Sequence, residues 1–355
     1  MADTGPLPVL IGVLYDFPNR DGSFEDALRL GISTVRDRLD RDVELLVHQA
    51  KGLPSGSVHE LTRGFYELDQ AGCLAIVGPS ISDNGIVARD LADRAAIPCI
   101  NYTGGEVTRS AWMFHYQVGS LEEEPILLAQ TLRERGLMTT GVLYDDSPVG
   151  RRYHEAFATA CADRGIDVLM SYTVSALAED LTGPVGRVQS AEPASLCYLG
   201  LGVSARAVAL AMEALGWQVP VVANSALMFG YMRKDWRAGW EGWTYVDTIA
   251  DDNPLRVALQ DVDRRTASGS VGVAGYDIGR LIGEAIARSG HLTRDGIRLG
   301  LERTKRLPAT SGHAGTLMGF GTYDHAALKG EYLVLRSWQG GRSVQLSRTA
   351  EPQHS

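Results

Sequence analysis

Residues 76–85, with the sequence IVGPSISDNG, combine the end of a strand, a turn and the start of a helix. The apolar residues that lead to Val77 are typical of a buried strand, and Gly78–Pro79 is typical of a tight turn. A strand that leads through a short loop into a helix is the repeating unit of a parallel α/β sheet. The loop serines, Ser80 and Ser82, are therefore expected between a strand end and a helix start.

The same alternation runs through most of the chain. Strands are predicted at residues 9–15, 43–48, 74–77, 97–102, 141–144, 168–172, 196–199 and 220–223. Helices are predicted at residues 24–39, 57–71, 84–95, 126–135, 150–164, 181–189, 204–215, 254–266, 275–289 and 294–304. Short apolar strands between helices favour the α/β class, with doubly wound parallel sheets. Because 355 residues are too many for one ordinary core, two lobes are expected.

Charge and hydropathy exclude two classes of partner. The formal net charge is −9, and no segment concentrates Lys and Arg with aromatic residues, so nucleic acid is not an expected partner. No window approaches the roughly 18 to 20 apolar residues that span a bilayer, so no direct membrane insertion is expected.

The first residues, MADTGPLPVLIGVLYDFP, lack the basic region and cleavage site of a secretory signal. We expect an extracytoplasmic location, in the periplasm or at the cell surface, if a leader was removed. We expect a cytoplasmic location if Met1 is the native start.

The residue types that bind metals are not spaced as a metal or redox site. The eight histidines never fall at HxxxH or HExxH spacing. The cysteines are too far apart for a CxxC motif and lie in or beside apolar runs, so buried free thiols are expected at Cys73, Cys99, Cys161 and Cys197. No metal and no cofactor is expected.

The loop within residues 76–85 fits two of four chemistries. A phosphate-binding loop needs a lysine that is absent here, and a nucleophile elbow needs glycine where Ser82 follows Ser80. No catalytic residue, and therefore no enzyme, is expected. Two interpretations stay open: Ser82, Asp83 or Asn84 caps the helix, or the serine hydroxyls hold a ligand at the edge of the sheet.

A second loop follows the next predicted strand, at the matching edge of the sheet. It contains Thr103, Gly104 and Gly105, and the two glycines allow backbone to approach a ligand closely. We expect Thr103 to supply a hydroxyl and the glycines to supply backbone groups beside Ser82. A glycine-rich turn without function is the alternative.

Two further groups receive no catalytic assignment. Asp145 and Asp146 are adjacent, and a turn before Ser147–Pro148 accounts for them. Trp236, Trp240 and Trp243 lie close together in DWRAGWEGWTY. They are expected in a core, an interface or the wall of a cleft.

The order of several segments resembles the type I periplasmic solute-binding proteins, specifically the branched-chain amino acid and amide-binding branch that serves ABC transporters. The resemblance rests on VLIGVLYDFP, AIVGPSISD, AAIPCINYTGG, GVLYDDSPVGRRYHEAF and AGYDIGRLIGEAIARSG, and it covers nearly the whole chain. It implies two Rossmann-like lobes joined by a three-crossover hinge, with a ligand enclosed between them. The implied lobes are residues 7–120 plus 247–328, and residues 121–246 plus 329–350.

The resemblance also implies ligand-binding residues in the first lobe. Ser82 matches the serine that grips the ligand, Thr103 and Gly105 match the second loop, and Phe24 matches an aromatic that faces the ligand. Ser80 and Gly104 belong to the same two loops.

The second lobe departs from the amino-acid binders of the family. Val149 and Leu201 replace aromatic residues, and Asn224 lies where an acid commonly pairs with the ligand ammonium. An α-amino group would lack its charge partner, which is costly. We therefore expect a carboxylate, an amide or a similar head, with an apolar or aromatic body that faces Val149, Leu201, Phe17 and Phe24.

The expected function is non-catalytic solute binding, with an ABC transporter permease as partner. The alternative is a cytosolic ligand sensor of the same fold that controls a regulatory protein.

Overall fold

The computed structural model describes residues 7–17, 22–231 and 233–347, which form two compact units. The first unit consists of the described residues within Met1–Glu122, Ser147–Val149 and Asp252–Tyr332. The second unit consists of those within Glu123–Asp146, Gly150–Asp251 and Leu333–Ser355.

The strands of the described residues are, in chain order, β1 (Val9–Tyr15), β2 (Val43–Gln49), β3 (Ala75–Val77), β4 (Cys99–Asn101), β5 (Met113–His115), β6 (Thr139–Asp145), β7 (Asp167–Val174), β8 (Ser195–Leu199), β9 (Val221–Ala223), β10 (Thr244–Asp247), β11 (Leu307–Pro308), β12 (Leu317–Met318), β13 (Leu328–Lys329), β14 (Val334–Gln339) and β15 (Arg342–Gln345).

The α-helices are α1 (Ser23–Ser33), α2 (Val58–Gln70), α3 (Ser82–Ala95), α4 (Glu124–Glu134), α5 (Pro148–Ala162), α6 (Thr182–Gln189), α7 (Ala205–Ala214), α8 (Pro254–Val262), α9 (Arg264–Ala267), α10 (Ser270–Arg288) and α11 (Arg294–Arg303). Short 3₁₀ helices cover Arg36–Arg38, Glu106–Thr108, Ser225–Tyr231 and Arg237–Gly239.

The first unit is built on a five-stranded sheet in the order β2-β1-β3-β4-β5, in which every neighbouring pair is parallel. In β1, Val13 pairs with Val47 of β2 on one side and with Val77 of β3 on the other. The chain order reverses beside β1, which makes this the switch point where open α/β sheets bind ligands.

The second unit is built on a seven-stranded sheet in the order β15-β14-β10-β9-β8-β6-β7. From β7 to β10 the pairs are parallel, and their order repeats that of the first sheet, with β6 in the place of β1. The strands β14 and β15 add an antiparallel edge. The predicted α/β class with mostly parallel sheets is therefore confirmed.

Local differences from the predicted elements lie where the sequence signal is weak. Strands β5 and β10 were not predicted, and the single helix expected at 254–266 is two helices, α8 and α9. The break occurs at Asp263, whose backbone is extended and whose side chain accepts from the N–H groups of Arg265 and Thr266. An aspartate that caps a new helix ends the preceding one.

Helices α1 and α10 pack closely because glycines face each other across the contact. A Cβ atom on Gly279 of α10 would overlap the Leu28 carbonyl oxygen of α1, and one on Gly31 would overlap the Tyr276 carbonyl oxygen. Small residues let two helix backbones approach within a distance that any side chain would prevent. The packing of α1 against α10 therefore depends on these glycines.

We predict that Gly279→Ala lowers the free energy of unfolding by about 1 to 3 kcal/mol, because the added methyl group forces α1 and α10 apart. Gly290→Ala is the control, because a Cβ atom there meets nothing within 4 Å. Urea denaturation should show a change of less than about 0.5 kcal/mol for the control. Equal stabilities of the two variants would contradict the proposed packing constraint.

Candidate functional site

The candidate site of the first unit lies at the carboxyl edge of its sheet. Residue Asp16 follows β1, residues 78–81 follow β3, and residues 102–105 follow β4. Because these strands are parallel, their carboxyl ends meet at one edge. The two loops predicted from the sequence are therefore neighbours.

Asp16 organises the first of these loops and was not identified from the sequence. Its Oδ1 accepts from the backbone N–H (2.8 Å) and the hydroxyl (2.7 Å) of Ser80. Its Oδ2 accepts from the N–H of Ile81 (3.0 Å) and from Nδ2 of Asn84 (2.8 Å). Burial raises the pKa of Asp16, and the hydrogen bonds from Ser80, Asn84 and Ile81 act in the opposite direction.

The interpretation in which Ser82, Asp83 or Asn84 is the N-cap residue of α3 is wrong. The helix begins at Ser82, and its N-cap residue is Ile81, which makes no side-chain capping hydrogen bond. Asn84 instead contacts Asp16 and both backbone groups of Leu53, accepting from its N–H at 2.9 Å and donating to its carbonyl at 2.9 Å. A fully buried amide with partners on both of its atoms is a tertiary clamp.

Ser82 links the two loops. Its half-buried hydroxyl accepts from the N–H of Gly104 at 3.3 Å. Ser80 differs, because its hydroxyl donates to Asp16. The structure thus brings Ser82 and Gly104 together, while a contact of either serine with a ligand stays a prediction.

Thr103 is fully buried, and its hydroxyl donates to Oδ1 of Asn101 at 2.9 Å. Its carbonyl lies 2.8 Å from Nε2 of His115. The carbonyl of Gly105 accepts from the hydroxyl of Thr108 at 2.7 Å. The second loop is therefore held from behind, and a ligand contact of Thr103 or Gly105 stays a prediction.

The predicted apolar residues of the first unit occupy different environments. Phe24 is 3% exposed and stacks on Tyr102, with ring centroids 4.5 Å apart. Phe17 is half-buried, and its carbonyl accepts from Gln49 at 3.1 Å. Phe24 thus contributes to the interior of the unit, and its contact with a ligand stays a prediction.

Val149 is half-buried in the first turn of α5 and belongs to the first unit. Its N–H donates to Oδ1 of Asp83 at 3.2 Å. The structure therefore places Val149 beside α3, where its side chain is neither fully buried nor fully exposed.

The second unit has a corresponding edge after β6, β8 and β9. The N–H of Leu201, which is half-buried, donates to Oδ2 of Asp145 at 2.6 Å. The buried Asn224 donates to the carbonyl of Gly200 at 3.0 Å and accepts from its N–H at 3.3 Å. Leu201 and Asn224 are therefore held in adjacent loops of this edge.

The adjacent acids Asp145 and Asp146 have different environments, as expected for neighbouring residues whose side chains point apart. Asp145 is 3% exposed as the last residue of β6, whereas Asp146 is exposed and pairs with Arg151 at 2.8 Å. Asp146 lies beyond the end of β6, in the short segment that leads to α5.

The tryptophans and cysteines are structural in the described residues. Trp236, Trp240 and Trp243 are all buried within the second unit, so packing in a core is the interpretation that holds. The four cysteines are free and buried. Burial raises the pKa of Cys73 to about 11 and that of Cys161 to about 12, so both thiols are protonated at neutral pH.

A cavity of about 520 Å³ lies elsewhere in the first unit, between α1, α8 and α10. Leu30, Leu259 and Tyr276 contribute to its walls, and it contains none of the predicted site residues.

In the described part of the chain, no group of three or more His, Cys, Asp or Glu side chains could hold a metal ion. No helix among those residues is long and apolar enough to cross a bilayer.

Two similar sheets with loops at their switch points define a two-unit binding protein of the α/β class. The family model described as periplasmic binding protein matches residues 8–339, and the chain belongs to this family. Its function is accordingly the binding of a solute. No curated protein matches the chain.

Solved structures with the same fold include three transport-related binding proteins. An ABC transporter substrate-binding protein from Desulfitobacterium hafniense in complex with leucine is 18% identical, with a TM-score of 0.79, and the match covers 96% of this chain and 100% of that chain. A leucine-binding protein from Thermotoga maritima is 16% identical, with a TM-score of 0.81 and coverages of 96% and 98%. A solute-binding protein from R. palustris in complex with 4-hydroxybenzoate is 13% identical, with a TM-score of 0.77 and coverages of 96% and 96%.

The match to the periplasmic binding protein family does not favour the alternative of a cytosolic sensor. At these identities the likeness concerns the fold. The ligand of this chain is therefore considered below from its own residues.

His115 supports the second loop and gives a prediction for pH dependence. Its Nδ1 accepts from Nε of Arg109 at 3.1 Å, so the Nε2 proton is directed to the Thr103 carbonyl. Burial, together with the nearby Arg109, lowers the pKa of His115 to about 3. Since the ordinary pKa is about 6.5, His115 stabilises the fold fully above that pH, and this contribution is lost as the pH falls.

We predict that the free energy of unfolding of the wild type falls more steeply than that of His115→Gln between pH 7.5 and pH 5, by about 2 kcal/mol. Glutamine keeps a donor for the Thr103 carbonyl but does not titrate. Urea denaturation of both proteins at the two pH values measures the difference, and all shared titrating groups cancel. Parallel curves would contradict a pKa of His115 that is lower in the folded than in the unfolded protein.

Proposed function

We propose that the two units are the lobes of a receptor that closes on a small solute with a polar head and delivers it to an ABC importer. The observation that carries this proposal is the pair of loops joined by the Ser82 hydroxyl and the Gly104 N–H, 3.3 Å apart at the start of α3. A helix of this length has a positive pole at its first turn, which favours a carboxylate or amide oxygen.

In this proposal the first unit binds the polar head. The Ser82 hydroxyl is the primary contact, because it accepts from the Gly104 N–H and keeps its own proton for the ligand, whereas the hydroxyls of Ser80 and Thr103 already donate within their own unit. Gly104 and Gly105 add backbone beside it. Ser80 and Thr103 then act by holding the two loops in place. Phe17 and Phe24 form the apolar side of this half of the site.

From the second unit, Leu201 and Asn224 would face the body of the solute, and Val149 of the first unit would contribute from the first turn of α5. None of these side chains carries a charge that would pair with an α-amino group. Burying an ammonium without a partner costs several kcal/mol, so an amino acid is the less favoured ligand. An aliphatic or aromatic carboxylate or amide fits the proposed residues, and the 4-hydroxybenzoate bound by one structural relative belongs to this class.

The proposed location is extracytoplasmic, where a permease of an ABC transporter would receive the solute. The proposal includes no catalytic residue. A ligand recovered chemically unchanged after long incubation with the protein is the expected result, and turnover would contradict the receptor function.

We predict that 4-hydroxybenzoate or a related acid or amide stabilises the protein against heat, whereas leucine does not. At a concentration of about 100 times Kd, binding adds about 2.7 kcal/mol and raises the Tm by several degrees. A thermal-shift screen of aromatic acids, aliphatic acids, amides and amino acids measures this. Strong stabilisation by leucine-like amino acids, without any by the acids and amides, would overturn the proposed ligand class.

We predict that Ser82→Ala weakens binding of the solute found in that screen by about 1 to 3 kcal/mol, because a buried polar group of the ligand loses its partner. Isothermal titration calorimetry measures the change. Ser33→Ala is the control, because Ser33 is exposed on α1 and bonds only within its own helix. An unchanged Kd for Ser82→Ala would show that the hydroxyl only joins the two loops.

A further inference from the structure

In each unit, a buried aspartate lies at the carboxyl end of the parallel strand that comes first in the chain, which is β1 in the first unit and β6 in the second. Asp16 follows β1 directly, and Asp145 is the last residue of β6. They are 1% and 3% exposed. In each sheet this strand lies between the second and the third strand of its unit, so both carboxylates lie at a switch point.

Asp16 fixes the loop between β3 and α3 through four hydrogen bonds. Each carboxylate oxygen accepts two of them, from Ser80 to Oδ1 and from Ile81 and Asn84 to Oδ2, at 2.7–3.0 Å. The donors are the residues immediately before Ser82 and one residue in the first turn of α3. The carboxylate therefore sets where that helix begins.

Asp145 makes the corresponding contacts in the second unit, to the loop between β8 and α7. Its Oδ2 accepts from the N–H of Leu201 at 2.6 Å, and its Oδ1 lies 3.5 Å from the hydroxyl of Ser204, the N-cap residue of α7. A Cβ atom on Gly200 would lie 2.6 Å from Oδ1, so the loop passes the carboxylate at a distance that excludes a side chain.

We infer that Asp16 and Asp145 are equivalent positioning residues, each of which holds the switch-point loop of its own unit in the binding conformation before a ligand arrives. This inference rests on the proposed function for the identity of the ligand loops. A loop that is ordered in the free protein does not lose conformational entropy when the ligand binds. Removal of either carboxylate should therefore loosen one loop and weaken binding, while the sheets stay intact.

Hydrogen exchange of the ligand-free protein, followed by mass spectrometry, tests the positioning role without any ligand. In Asp16→Asn an amide nitrogen replaces one acceptor oxygen, so peptides that cover residues 78–84 should exchange at least about 10-fold faster. In Asp145→Asn, the peptides that cover residues 200–206 should likewise exchange at least about 10-fold faster than in the wild type. Each variant should leave the other loop and the strands β1 and β6 at the wild-type exchange rate.

Exposed acids close to each site provide matched controls. Asp146→Asn changes the neighbour of Asp145, and Asp90→Asn changes an exposed acid on α3 that pairs with Arg89. Both should exchange as the wild type does. Unchanged protection of the loops in Asp16→Asn and Asp145→Asn would overturn the inference, and so would faster exchange throughout a unit, which indicates a purely structural role.

Ser80→Ala covers the case in which Asp16→Asn does not fold. It removes one of the four hydrogen bonds of Asp16, so residues 78–84 should exchange faster than in the wild type, by a smaller factor than the 10-fold above. Wild-type exchange in this variant would contradict the inference for the first unit.

Titration calorimetry with 4-hydroxybenzoate as the probe measures the effect on binding. A Kd at least about 10-fold higher in both aspartate variants, with the two controls unchanged, is expected. If the wild type does not bind 4-hydroxybenzoate, the acid or amide that stabilises most in the thermal-shift screen replaces it as the probe. If no acid or amide binds, the proposed ligand class fails, whereas the exchange experiment still decides the positioning role. If the probe binds all five proteins equally, the loops do not require the aspartates for binding.

Discussion

Parallel hydrogen bonding on both sides of β1 determines where the candidate site of the first unit lies. With β2 on one side and β3 on the other, the loops that follow these strands leave the sheet at the same edge. The reversal of chain order at β1 sends the next helices to opposite faces and leaves a crevice between them. The same order beside β6 gives the second unit an equivalent edge. The sheet topology therefore determines where the site lies, and the polar residues at these strand ends determine what it can bind.

Strands could be predicted from the sequence where an apolar run was long enough to distinguish a strand from a loop. Strand β1 was predicted at its observed bounds, and β2 and β8 within one residue. The strands β5 and β10 were missed although β3, β4 and β9 are as short. No α-helix separates β4 from β5 or β9 from β10, so the alternation of strand and helix gave no signal at these two strands.

The sequence was sufficient to predict the two loops of the candidate site, but not the contacts between their residues. Ser82 and Gly104 were predicted as neighbours because both follow strands of a parallel sheet, and the structure brings them together. Asn84 was assigned as a possible cap because asparagine is common at helix starts, whereas its partner Asp16 lies 68 residues away in the chain. Asp16 carries no local motif, since a single aspartate after a strand is usually a turn residue. Such pairings become visible only when the register of the strands is known.

The burial of all four cysteines has a practical consequence for work with this protein. The thiolate is the form that reacts with alkylating reagents, and burial raises the pKa of every one of these thiols. We therefore expect the folded protein to react only slowly with maleimides at neutral pH. A cysteine introduced at an exposed loop position would alone carry a fluorescent dye, so a reporter of ligand binding can be built without replacing the native cysteines.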